Sequence, residues 1–354
     1  MERYDKYEDW VEAVGENTPE IPKIITGEWL QEKLIDRKSY FRNWGFCFQD
    51  ISECEFEENI DPRIVRKVCY STRTKFSNKH PFLFNQNIFH TFDEVRKLHE
   101  QGIDGTGVNV AIIDFSFDVV PNELKESLYK YVKCYENAPV HFHGTTVSTY
   151  LCGKNLGVAP NAKLWFYGTR QKRENTSIDN LVALKDIYEQ NKNGANIKIV
   201  NISASVLKED NPKFEVIINK LLEQGCYVID STLFGKDFTC INQDPNNGEL
   251  YYSDWQLLGG NINEIKSKIA VLTGGKAAPL VTTENDYIYY GQATYSWSIP
   301  ILSGYFALAL QINPDLTYDE FVALAHKLKK EENGIIICNI TGIIEELKNT
   351  KKLK

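Results

Sequence analysis

"ATYSWSIPILSGYFALAL", running from Ala293 to Leu310, decides how the rest of the chain is read. Small and hydroxylic residues pass into an apolar run, with Pro300 early and Gly304 four residues later. This pattern predicts a buried helix whose first turn carries a serine. Proline is tolerated at a helix start, where the N–H it lacks has no intrahelical acceptor. Gly304 and Ala307 are expected to let the helix run close against neighbouring backbone. The N-terminus of a helix offers unpaired N–H groups and a positive field. That setting suits a nucleophile whose product is an oxyanion, and Ser296 is the candidate.

The chain has 354 residues, enough for one large catalytic domain plus an extension. Hydrophobic residues make up 42% and charged residues 25%, which is ordinary for a globular protein. A formal net charge of -8 argues against nucleic acid and anionic membrane surfaces as partners. No apolar run approaches the roughly 20 residues of a membrane span, and the acidic N-terminus has no secretory h-region. None of the eight cysteines forms a C-x-x-C pair or a zinc spacing, so no metal or other cofactor is expected. Reduced, apolar-flanked cysteines point to a cytoplasmic protein.

Residues 1–84 are rich in acidic residues, arginine and aromatics and contain no chemical motif. They are expected to form an accessory or prodomain-like extension, and residues 85–354 a separate catalytic domain. From residue 85 a regular alternation sets in. "GVNVAIID", "KLWFYG", "IKIVNISA", "CYVID" and "IAVLT" read as strands. "HGTTVSTYLCG", "DNLVALKDIYEQ" and "KFEVIINKLLEQG" read as helices, the last with Phe214, Ile217, Ile218, Leu221 and Leu222 on one face. "TYDEFVALAHKL" opens with a capping box, Thr317 and Glu320. Strands alternating with amphipathic helices imply an α/β fold, a mostly parallel sheet covered on both faces. Chemistry in such sheets collects at the carboxyl ends of the strands.

Asp114, Ser203 and the loop after "CYVID" lie at such strand ends, and three residues of the chain carry groups that fit acyl transfer. Asp114 ends a strand, His143 opens a helix, and Ser296 begins the apolar helix. A serine nucleophile needs a base to take its proton and a carboxylate to hold that base in the right tautomer. Each residue alone has an ordinary structural explanation: a strand-end Asp, a packed His, a Ser as N-cap. The combination is far more specific. Ser298 competes with Ser296 for the nucleophile's place.

In these segments the chain resembles the subtilisin-like serine proteases, over about residues 85–345. "GTGVNVAIIDFSFD", "HGTTVSTYLCGKNLGVAPNAKLWFYG", "IKIVNISAS" and "TYSWSIPILSGYFALALQINPDLT" are similar to the family's Asp, His, substrate-binding and Ser segments. "SWSIP" together with "NDYIYY" resembles a bacterial subset associated with peptide maturation. The resemblance implies a three-layer α/β/α fold. It implies Asp114 as orienting carboxylate, His143 as general base and Ser296 as nucleophile. It places the substrate main chain along Ser203, Ala204 and Ser205, paired as an added strand.

The departures also carry expectations. Thr146, Ser148 and Thr149 replace the family's second His and its Ala-Gly, and Thr294-Tyr295 its Gly-Thr. "STLFGKDF" puts Phe234 where the family has the asparagine that donates to the oxyanion. The backbone N–H of Ser296 remains as a donor, and Asn242 is the candidate for a side-chain donor. The family's calcium-binding insertion is absent after the His helix. The expected function is a serine endopeptidase of narrow specificity, acting on a peptide such as the leader of a precursor. A basic substrate would suit the net charge. Two other readings stay open: a pseudoprotease that binds a peptide strand without cutting it, and an unrelated α/β protein with a fortuitous triad.

Overall fold

The computed structural model describes residues 17–36, 39–82, 86–136, 140–170, 173–203, 212–259, 261–279, 284–292 and 294–352. Five strands form a fully parallel sheet: β1 (Asn109–Phe115), β2 (Leu128–Lys133), β3 (Lys163–Thr169), β4 (Ile197–Ile202) and β5 (Tyr227–Asp230). Their order across the sheet is β5-β4-β1-β3-β2. β1, whose sequence "NVAIIDF" is almost wholly apolar, lies in the centre, as a strand buried on both faces should.

The two-residue period of the strands divides the core into two layers. Val110, Ile112, Leu164 and Phe166 face one side of the sheet. Ala111, Ile113, Trp165 and Tyr167 face the other. The first layer packs against helix α1 (Phe142–Cys152), which contributes Val147 and Leu151. The second packs against α2 (Arg173–Lys192) and α3 (Pro212–Glu223), through Leu184, Ile187, Phe214, Ile217 and Leu221. The apolar face of α3 is narrower than its sequence suggests. Phe214, Ile217 and Leu221 are buried in this layer and Ile218 is half-buried against it, whereas Leu222 is exposed. The result is the expected three-layer α/β/α sandwich.

The chain then leaves this sheet through a short helix, α4 (Ser231–Asp237), and enters β6 (Phe238–Gln243). β6 pairs in parallel with β7 (Ile269–Leu272) in a second, mixed sheet. Helix α5 (Tyr295–Ile312) packs in the first core layer, buried from Trp297 through Leu310. A Cβ on Gly304 would come within 2.5 Å of the Val158 Cβ, so this glycine allows the close approach its position suggested. The capping box at Thr317 and Glu320 is present.

Residues 17–82 are joined to this body rather than merely laid on it. They build a core of their own from Ile25, Leu30, Phe41, Phe46, Val68 and Phe82, which also takes in Ala277 and Tyr289. The expected boundary at residue 84 lies outside the described residues. The short strand Tyr70–Ser71 extends the hairpin of Lys276–Pro279 and Tyr287–Tyr290, pairing antiparallel with Ile288 and Tyr289. Arg66 is buried over the Tyr251 ring, 4.0 Å from its centroid, and pairs with Asp244 at 3.3 Å and Glu249 at 2.8 Å. Asp244 is therefore the counter-ion of a buried guanidinium.

Removing Arg66 would leave the buried Asp244 carboxylate without its cation, a loss that costs about 3–5 kcal/mol in comparable pairs. Arg66→Ala is expected to lower stability by about that amount in a urea titration, and an unchanged midpoint would refute the role assigned to the pair.

Candidate active site

Asp114 lies at the carboxyl end of β1, the central strand, and is buried. The Phe115 N–H donates to its Oδ1 at 2.7 Å, and Thr169 Oγ1 donates to its backbone carbonyl at 3.0 Å. His143 is the second residue of α1, and its Nδ1 lies 2.7 Å from Asp114 Oδ1. A carboxylate can only accept, so Nδ1 carries the proton and Nε2 is left as the basic nitrogen. Gly144 makes this pairing sterically possible. A Cβ there would stand 2.1 Å from the Phe115 carbonyl oxygen, so only glycine lets the helix abut the strand end.

The start of α1 is capped by His141, whose Nδ1 accepts the His143 N–H at 3.2 Å. An accepting nitrogen must be unprotonated. Burial, reinforced by the neighbouring His143, pushes the His141 pKa down to about 3. His141 is thus held neutral when folded but protonates near its ordinary pKa of about 6.5 when unfolded. The unfolded chain binds the extra proton below that value, so this contribution to stability is complete above about pH 6.5 and is lost as pH falls toward 3.

Ser296 is the second residue of α5 and is half-buried. Pro300 is the sixth residue of this helix, one turn deeper than its sequence context suggested. Its missing N–H would have bonded the Ser296 carbonyl, four residues back. Ser203, just beyond β4, supplies the replacement: its Oγ donates to the Ser296 carbonyl at 2.9 Å. The Ser296 Oγ in turn donates to the Ser203 carbonyl at 3.3 Å, and no hydrogen bond joins it to His143 among the described residues. The Ser296 N–H has no partner among the described residues either. Ser298 is fully buried and shares a 2.8 Å hydrogen bond with Thr273.

Ser296 and His143 line one cleft of about 500 Å³, together with Phe115, His141, Phe142, Tyr290, Gln292, Thr294 and Trp297. The Trp297 ring packs 4.9 Å from that of His143. Arg42, Asn43, Trp44 and Cys69 complete the lining, all from a segment in which the sequence showed no chemical motif. The only sequence signal for them is the aromatic density of "YFRNWGF". Burial pushes the Cys69 thiol up to about 12, so it is protonated and unreactive at neutral pH.

The other expected site residues are less simply placed. Ala204 and Ser205 lie outside the described residues. Asn242 is buried with its amide turned elsewhere: Nδ2 donates to Ser253 Oγ at 2.8 Å and to the Tyr251 carbonyl at 3.3 Å. Both amide hydrogens are used, which corrects its assignment as oxyanion donor. Phe234 is fully buried in α4, with its ring 5.2 Å from that of Tyr295, next to the serine. An aromatic contact therefore occupies the region where a polar donor was sought. Thr146, Ser148 and Thr149, which replace the family's second His and its Ala-Gly, are fully buried in α1.

The chain has the fold of a subtilisin-like protease. It is similar to the subtilase cytotoxin SubAB (TM-score 0.55, 14% identity, covering 76% of this chain and 98% of the other). It is also similar to the macrocyclase domain of PatG (TM-score 0.51, 14% identity, 76% and 98%) and to the prenylagaramide maturation protease PagA (TM-score 0.50, 16% identity, 73% and 99%). No family model and no curated protein sequence matches the chain. Among the described residues no helix is long and apolar enough to cross a membrane.

Two measurements address this geometry. Between pH 6.5 and 4, stability is expected to fall with a component of about 1.4 kcal/mol per pH unit from His141; His141→Asn, which keeps a capping acceptor, should remove that component. Ser203→Ala is expected to cost about 1–3 kcal/mol by orphaning the Ser296 carbonyl. Pro300→Ala restores the helical N–H, so the double variant should lose less than the two single losses combined; simple additivity would deny the coupling.

Proposed function

We propose that the chain is a serine endopeptidase that hydrolyses peptide bonds through an acyl-enzyme. The observation that carries this reading is the 2.7 Å Asp114–His143 pair, whose histidine lines the same cleft as Ser296 at the start of a buried helix. Ser296 Oγ attacks the substrate carbonyl while His143 Nε2 takes its proton and Asp114 steadies the imidazolium. The oxyanion is received by the Ser296 N–H at the positive end of α5. His143 then returns the proton to the leaving amine, and water, deprotonated by the same nitrogen, releases the acyl group.

The substrate strand runs along Ser203, Ala204 and Ser205. Its N–H groups compete for the Ser203 carbonyl on which the Ser296 hydroxyl rests, and so free that hydroxyl for His143. In the resting protein such catalytic hydrogen bonds are commonly unformed. The structures named for a maturation protease and a macrocyclase support a precursor peptide as substrate and a narrow specificity, such as removal of a leader. The cysteines, six of them buried and all free thiols, suit work in the cytoplasm.

The second reading is a pseudoprotease that grips a peptide strand without cutting it. Phe234 favours it, since loss of the oxyanion-binding asparagine of subtilisin costs about 10²–10³ in rate, and a comparable loss here would leave a slow enzyme at best.

A fluorophosphonate probe separates the two. Under the protease reading the protein is labelled at Ser296, and Ser296→Ala abolishes labelling. Absence of labelling in the wild type would leave the pseudoprotease, and labelling that survives in Ser296→Ala would remove Ser296 as nucleophile.

A further inference from the structure

Four buried aromatic rings join the N-terminal segment to both ends of the catalytic pair. Trp44 packs edge-on to Phe142, 4.9 Å between centroids, and Phe142 immediately precedes His143. Phe142 lies 5.9 Å from Tyr290 and 6.3 Å from Trp297, which immediately follows Ser296. Tyr290 and Trp297 are 5.2 Å apart. All four line the cleft that holds Ser296 and His143.

Trp44 is held there by constraints within its own segment. Gly45, at φ 50°, follows it, and a Cβ on that residue would come within 2.0 Å of the Cys69 carbonyl oxygen. The Phe46 N–H donates to the same carbonyl at 2.8 Å, and Thr74 Oγ1 donates to the Phe46 carbonyl at 2.8 Å. The segment itself is tied to the body through Arg66 and the strand Tyr70–Ser71. A piece held by a buried ion pair and a sheet edge is not built to leave. Removing it would also open one wall of the cleft.

Charge selects the occupant. The described lining of the cleft holds no carboxylate, and Arg42 is part of it. The chain as a whole is acidic, with a net charge of -8, but that charge is screened beyond about 10 Å, whereas the cleft acts at contact. A lysine or arginine side chain entering here would lose its hydration with no counter-ion to receive it. A large apolar side chain would exchange water for ring faces and edges.

We infer that residues 39–82 are a permanent wall of the substrate site, and that Trp44, Phe142, Tyr290 and Trp297 form a subsite for a large apolar side chain beside the bond that Ser296 attacks. The inference rests on the peptidase reading for the identity of the ligand as a peptide, but its test does not require turnover. Trp44 is the specificity-determining residue, because it alone of the four comes from residues 39–82.

The test uses the full-length Ser296→Ala protein and fluorescein-labelled decapeptides of a Ser/Ala/Gly host, with Phe, Leu, Ala, Asp or Lys placed in turn at each position. Fluorescence anisotropy gives the affinities. At one position Phe or Leu is expected to bind at least about tenfold more tightly than Ala or Lys, the discrimination of a fitted apolar pocket. Trp44→Ala should erase that preference and Trp44→Phe should keep most of it, with circular dichroism matching the parent in both. Equal affinity for all peptides, preference for Lys, or a preference untouched by Trp44→Ala in a folded protein would overturn the inference. Fluorophosphonate labelling of the parent reports separately on the nucleophile, so a failed subsite and a failed protease reading give different results.

Discussion

The 2.7 Å hydrogen bond between Asp114 and His143 depends on how closely one helix is allowed to approach one strand. The aspartate ends the central strand of a parallel sheet and the histidine opens the helix packed over it. Gly144 lets the two stand at hydrogen-bonding range, because it meets the Phe115 carbonyl where a single methyl group would not fit. The helix start is fixed in turn by His141, a capping residue that works only while neutral. Burial enforces that neutrality, so the geometry of the base rests on the dryness of its surroundings as much as on its own partner.

The serine is positioned by a different device. A proline inside α5 breaks the helical ladder at one place, and the orphaned carbonyl belongs to Ser296. Buried carbonyls need donors, and the one that answers comes from Ser203, at the end of another strand of the same sheet. The break in the helix thereby becomes a tie between the Ser296 backbone and the end of β4. The same pair of residues also holds the serine hydroxyl in its resting place. Nearby, the Phe234 and Tyr295 rings pack against each other, and Asn242 is committed to Ser253 and Tyr251.

Most of the frame was legible because it follows from periodicity. The alternation of apolar runs and amphipathic helices, the close-packing glycine at 304 and the capping box at Thr317 are local properties that tertiary structure left in place. Pro300 and Leu222 were displaced from their expected roles by packing: the helix begins at Tyr295, and Leu222 is exposed on α3. The cleft was the least legible part. Trp44 and Arg42 lie about a hundred residues before His143 and more than two hundred before Ser296, in a segment without a motif. No periodic signal connects them, since their nearness to the site comes from a sheet-edge pairing and a buried ion pair.

The sequence by itself determined the fold class and marked Asp114, His143 and Ser296 as candidates, because each is written in local pattern and spacing. The tertiary structure alone decided that Asn242 points away from the cleft and that the N-terminal segment forms one of its walls. Those outcomes depend on which groups are buried together. Burial is a property of the packed chain, set by shape and by the need to satisfy polar atoms, and it cannot be read from neighbours in sequence.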